Sequence, residues 1–343
     1  MPAIVSTPPP PRPSKTLDLA LSIAAIAWFL AARELSARSA SGIAGRLDLV
    51  AVAFILKPLF LIFLLVVGYS ILELVARRHS ATRDLLGLPQ RPSAREEWGI
   101  GAAIGWSALL FAILPLAIVG RLQVQLWTEP RAFLYALLTL IGAALTALAV
   151  EIAFRGYSFR RMIDAIGPVG ATLSMALIYG LLFAFSPGST GLGVIVMALL
   201  GIVLSLGWLR THGLWLSWGL NFAWTASLGL LFGLPTAGST DLSSVVQTTA
   251  IGPRLLTGRD FGPEAAPFTA IIILIAIAAV IRLTRDFAWN YTYRPIVAAG
   301  YPMDVPPPAA HTAMEQTSAA PPPPLVQILP STPQHRSVTD TPR

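Results

Sequence analysis

Eight apolar runs recur along the chain, at roughly 17–32, 48–75, 98–120, 132–154, 168–185, 191–209, 213–235 and 266–284. Short polar stretches separate them. A transmembrane helix needs about 20 apolar residues, with a range of about 17–25. Lipid offers no partner to an unpaired backbone group, so runs of this length read as helices rather than open strands. The first run is a little short and passes straight into AARELSARSA without a small-residue cleavage site, so it does not read as a signal peptide. The second is long and carries Lys57-Pro58 inside it. The proline kinks a helix there, and the lysine must snorkel or face the bundle. The pattern predicts an all-α, polytopic membrane protein with about eight transmembrane helices.

The flanking pieces divide the chain further. Residues 1–16 (MPAIVSTPPPPRPSKT) form a Pro-rich N-terminus without the means to build a core, and are expected to be disordered. Residues 17–97 hold two N-terminal transmembrane helices and a basic cytoplasmic loop, RRHSATRDLLGLPQRPSAR. Residues 98–284 form the main transmembrane domain. Residues 285–343 are a cytoplasmic tail, mostly disordered, whose VPPPAAHTAMEQTSAAPPPPL favours extended polyproline conformations. No repeat of 20–50 residues is present.

Composition agrees with the periodicity. Of 343 residues, 55% are hydrophobic and 12% charged, against about 25% charged in a soluble domain. Mean hydropathy is +0.67. The net charge of +7 is carried by basic residues that flank apolar runs, which fits topogenic charge and anionic-lipid contact rather than nucleic acid. With the N-terminus inside, 16 Lys and Arg fall on the inner side and 7 on the outer, and Lys57 within the membrane completes the 24. The positive-inside rule therefore puts both termini in the cytoplasm. There are no cysteines, which excludes disulfides, thiolate catalysis and Cys-ligated metals. Only Lys15 and Lys57 are lysines, and this Arg, Ala and Pro bias suggests a GC-rich bacterial genome and an inner-membrane location.

Candidate chemistry centres on one helix end. In ALAVEIAFRGYSFRR a single carboxylate, Glu151, stands four residues before Arg155. The two share a helical face, with the acid N-terminal, the better order for a pair. On spacing alone the pair is either a structural ion pair or a catalytic carboxylate positioned by arginine. Asn221 and Thr225 also share a face and are suited to hydrogen-bond across the bundle. Trp208, Trp215, Trp218 and Trp224 read as interfacial belt and core residues.

Four stretches together resemble the CPBP intramembrane proteases, also called the CAAX protease and bacteriocin-processing family. AVEIAFRGYSFRRM is similar to the family's first motif, Glu-Glu-x-x-x-Arg continued as Phe-Arg-Gly-Tyr. LIYGLLFAFSPGSTGLG is similar to the second, Phe-x-x-x-His, and THGLWLSWGLNFAWTAS to the third, His-x-x-x-Asn. GPRLLTGRDFGPEAAP is similar to the loop before the family's last helix. The order and spacings agree over about 98–284. The resemblance implies a membrane helical bundle whose ancestral activity is endopeptidase cleavage of prenylated C-termini or leader peptides.

Carried over residue by residue from Arg155 and Gly156, the family's first Glu falls on Val150 and its second on Glu151. The Phe and His of the second motif fall on Tyr179 and Phe183. The His and Asn of the third fall on Asn221 and Thr225. In the family the first Glu and a His are thought to activate water, and the remaining His and Asn to stabilise the oxyanion; a metal-dependent reading also exists. Val150 cannot accept a proton, and Phe183 can neither ligate metal nor donate to an oxyanion. The four histidines, His79, His212, His311 and His335, lie outside the helix interiors, so neither a metal site nor any cofactor is expected. Glu151 and Arg155 are then motif remnants, and Tyr179, Phe183, Asn221 and Thr225 are candidates to line a substrate cavity. The leading expectation is a degenerate family member acting as a membrane binding or scaffold protein. Its partners would be membrane lipids and a membrane protein or lipidated peptide, with no nucleic acid. The alternatives are an active endopeptidase using Glu151 and a small-molecule or peptide permease.

Overall fold

The computed structural model describes residues 14–47, 52–76, 82–242 and 245–287. The Pro-rich N-terminus up to residue 13, the RRHSA part of the basic loop and the tail from residue 288 lie outside the described residues, as do His79, His311 and His335.

The helices are α1 (Lys15–Arg46), α2 (Ala53–Val75), a single turn α3 (Thr82–Leu86), α4 (Ala94–Val119), α5 (Pro130–Arg155), α6 (Tyr157–Leu182), α7 (Gly191–Thr211), α8 (Trp215–Ala226), a short α9 (Arg254–Thr257) and α10 (Pro267–Leu283). Among the described residues, five helical stretches are long and apolar enough to cross a membrane. The longest, Pro130–Phe185, takes in both α5 and α6, and α10 is a shorter apolar helix. The molecule is an all-α integral membrane protein.

Local chemistry sets the helix boundaries. Pro130 and Pro267 open α5 and α10, where a missing N–H costs nothing. Thr190 caps α7 by accepting from the Gly193 N–H at 3.1 Å. Within α6, Gly167 takes φ 82°, a left-handed value that favours glycine, and Pro168 restarts the helix. The break divides α6 into a piece facing the loops and a span starting at residue 168.

Close packing follows the small residues. A Cβ on Gly101 would lie 2.1 Å from the Leu216 carbonyl, and one on Gly105 2.3 Å from the Leu220 carbonyl. Gly219 of α8 meets the Trp98 carbonyl in the same way, at 2.1 Å. These glycines let α4 and α8 approach backbone to backbone, the usual route to tight packing in lipid, where no hydrophobic drive separates helix from solvent. Indole groups add cross-ties: Trp28 donates to the Leu64 carbonyl at 2.8 Å and Trp218 to that of Ala144 at 2.9 Å.

At one end of the bundle, Leu214 N–H donates to the Gly87 carbonyl at 2.9 Å, and Arg91 reaches the Thr211 carbonyl at 2.6 Å. Arg161 of α6 joins Glu73 of α2 and Asp18 of α1, the latter at 3.7 Å. The other end carries two strands, β1 (Arg121–Leu126) and β2 (Val246–Ile251), paired antiparallel from Arg121↔Ile251 to Leu126↔Val246.

Three features differ in detail from the apolar pattern. Helix α1 continues far past Ala32, because its Ala-, Leu-, Glu- and Arg-rich extension has high helix propensity. The extension also buries Ser36, Ala40 and Ala44 at four-residue spacing. The seventh run is only partly α-helical: α8 gives way to a π turn at Ser227–Leu231. The β ladder has no counterpart in the pattern of apolar runs.

Candidate functional site

A cavity of about 260 Å³ opens between α1, α2, α5, α6, α7 and α8. Its wall includes Val150 of α5, Tyr179 of α6, Phe183 just beyond α6, and Asn221 and Thr225 of α8. Four residues singled out in the sequence, Tyr179, Phe183, Asn221 and Thr225, are therefore brought to one space. Glu151 and Arg155 are not part of that wall. Helix α5 is regular through Arg155, so successive side chains are turned by about 100°. Val150 points its methyls to the cavity, and Glu151 turns into the protein.

Glu151 and Arg155 are both fully buried. Their ion pair spans 3.4 Å, and the same Glu151 Oε1 accepts from Asn221 Nδ2 at 2.8 Å. Thr225 Oγ1 in turn lies 3.4 Å from Asn221 Oδ1. Arg155 donates to the Gly201 carbonyl of α7 at 3.1 Å, and its guanidinium lies 4.7 Å from the Tyr179 ring centroid. Phe154 and Phe183 meet the Tyr179 ring edge to face at 5.2 Å. The node thus joins α5, α6, α7 and α8 through one charge pair, one amide and one aromatic face. Glu151 Oε2 has no hydrogen-bond partner among the described residues.

Sequence reasoning gave no role to Glu264, which borders the cavity from the loop before α10. It is 2% exposed and accepts from Trp224 Nε1 at 2.7 Å and from the Ala237 N–H at 2.6 Å. Burial raises its pKa above the ordinary carboxyl range, and the two donors offset only part of that effect. The signal available was the Pro-Glu within GPEAAP, but nothing local announces that Trp224 will donate to it. Lys57 and Arg33 also border the cavity, both with exposed side chains.

His212 sits outside the cavity, at the left-handed C-cap of α7 with φ 50°. Burial and Arg91 lower its pKa. Among the described residues no three His, Asp or Glu side chains gather as ligands. At the positions of the family's reactive Glu, two His and Asn stand Val150, Phe183, Asn221 and Thr225, whose side chains offer one amide and one hydroxyl. That set does not fit a catalytic divalent metal.

The Rce1-like family model, described as type II CAAX prenyl endopeptidase Rce1-like, matches residues 130–227. Over that stretch, somewhat more than a quarter of the chain, the sequence is similar to the Rce1-like family. No curated protein and no solved structure matches the chain. The matched segment runs from the start of α5 to the end of α8. It supplies the whole Glu151–Arg155–Asn221 node and most of the cavity wall. Glu264, Lys57 and Arg33 come from outside it, so the Rce1-like cavity is completed here by the loop before α10 and by α1 and α2.

Proposed function

We propose that this CAAX protease-like membrane protein is catalytically degenerate and works as a binding or scaffold protein that keeps the family's cavity. The observation that carries this reading is the pairing of hydrocarbon outside with charge inside. Val150 and Phe183, at the positions of the expected base and imidazole, border the cavity. Glu151, the neighbouring carboxylate, is fully buried behind them. A general base must reach the water it deprotonates, by direct contact or through one water. Glu151 Oε1 is already held by Arg155 and Asn221.

The likeness to type II CAAX prenyl endopeptidases suggests what the cavity would meet: a lipidated C-terminal peptide or the membrane protein that carries it. The basic asymmetry supports both termini in the cytoplasm of a bacterial inner membrane. The purified protein should give no cleavage of prenylated or leader-type peptides while retaining partner binding. One observation favours a second reading, an active endopeptidase: Glu151 Oε2 is unpartnered and could accept a proton. Turnover that disappears in Glu151→Gln with folding intact would decide for that rival.

A further inference from the structure

Arg33 and Lys57 border the cavity and have no part in the scheme above. Three basic groups largely buried in the bundle are matched: Arg155 with Glu151, Arg161 with Glu73 and Asp18, Arg91 with Glu97. Neither Arg33 nor Lys57 has an ion-pair partner among the described residues. The carboxylates nearby are committed elsewhere. Glu264 accepts from Trp224 and Ala237, and Glu151 from Asn221 and Arg155. Lys57 lies one turn inside α2, next to Pro58, and Arg33 follows the end of the first apolar run. A cation held in or beside an apolar span is costly and normally finds an anion.

The remaining wall is hydrocarbon, from Phe29, Leu61, Val150, Leu182, Phe183 and Leu200. The cavity therefore offers two unmatched positive charges together with an apolar surface. Its volume of about 260 Å³ is just under the ~300–1,000 Å³ of sites that enclose a drug-sized ligand. One chain fits that space better than two.

We infer that the cavity takes a single-chain amphiphile with an acidic head, a carboxylate or a phosphate, its head at Arg33 and Lys57 and its chain against the Phe29–Phe183 wall. This rests on the reading of the cavity as a binding site. The head would form charge-assisted hydrogen bonds, bidentate at Arg33.

The test uses the full chain in nanodiscs of phosphatidylcholine carrying a fluorescent undecanoate as the reporter. Palmitate and palmitoyl lysophosphatidic acid should displace it, and palmitoyl lysophosphatidylcholine should not. Arg33→Gln with Lys57→Gln should weaken the acidic probes at least about 10-fold, since each contact to a charged head contributes to affinity. Both side chains are exposed, so the ligand-free melting temperature should stay near wild type. Thr146→Trp, which narrows the cavity from α5, should weaken the same probes by a similar factor. Equal displacement by the zwitterionic probe, or undiminished affinity in the double variant, overturns the inference. Inorganic phosphate displacing as well as lysophosphatidic acid also overturns it, because the site would then read the anion alone. Peptide turnover in the same preparation with acidic-probe binding intact would remove only the degenerate-scaffold reading. Absent probe binding without turnover would remove only the amphiphile.

Discussion

Replacing Arg155 by alanine would leave Glu151 buried with a single donor, Asn221. Four interactions go at once: the 3.4 Å ion pair, the 3.1 Å bond to the Gly201 carbonyl, the packing on Tyr179 and the guanidinium volume itself. Removing one partner of a buried pair costs about 3–5 kcal/mol, chiefly because the other charge is stranded. Both side chains are fully buried, so solvent screening gives no relief. Arg155→Ala should therefore lower the unfolding free energy in mild detergent by roughly 3–5 kcal/mol. Glu151→Gln keeps a carbonyl for Asn221 but strands the buried Arg155 charge, so it should cost a similar amount, about 3–5 kcal/mol. The decisive measurement is a double-mutant cycle by denaturant titration with Arg155→Met, Glu151→Gln and both together. A strong coupling, with the double variant more stable than the sum of the singles implies, is expected. Arg155→Ala within about 0.5 kcal/mol of wild type would refute the reasoning and mean that Glu151 is already solvated.

Reporter fusions at Met1 and after Arg294 should both read cytoplasmic, and an externally active reporter at either end would contradict the basic asymmetry. Gly105→Leu should destabilise by about 1–3 kcal/mol through overpacking, since even a Cβ there would stand 2.3 Å from the Leu220 carbonyl; unchanged stability in detergent would mean that α4 and α8 separate easily. The raised pKa of Glu264 means that the folded state holds its proton to higher pH than the unfolded chain. Stability from this group is full below the ordinary carboxyl pKa and is lost as pH rises through the raised value. Glu264→Gln should flatten that part of the stability–pH curve while matching wild type at low pH, and a parallel curve would show that Glu264 is not the responsible group.

Much of the fold is written locally. The apolar runs, the Gly167-Pro168 break and the opening prolines of α5 and α10 all act within a few residues. The orientation of the site is local too, because adjacent helical positions cannot share a face and so Val150 and Glu151 had to diverge. What escaped sequence reading depends on distant partners. RLQVQL alternates as a strand should, but six residues beside an apolar run carry little weight without their partner VQTTAI. Glu264 is one acid in a glycine- and proline-rich loop, and its role exists only once Trp224 is brought beside it. The placement of Arg33 and Lys57 at one cavity likewise needed the packing of α1 and α2 on α5.

The β1–β2 ladder has a consequence for biosynthesis. Strand β1 leaves the ribosome long before Val246–Ile251 is made. At about 5–20 residues per second the interval is on the order of ten seconds. For that time β1 presents an unpaired edge on the loop side of a half-built bundle, the kind of template that invites pairing with another chain. The nascent protein is thus most exposed to misassembly between insertion of α5 and emergence of β2. A translational pause anywhere in that window would lengthen the exposure without altering one contact of the finished fold.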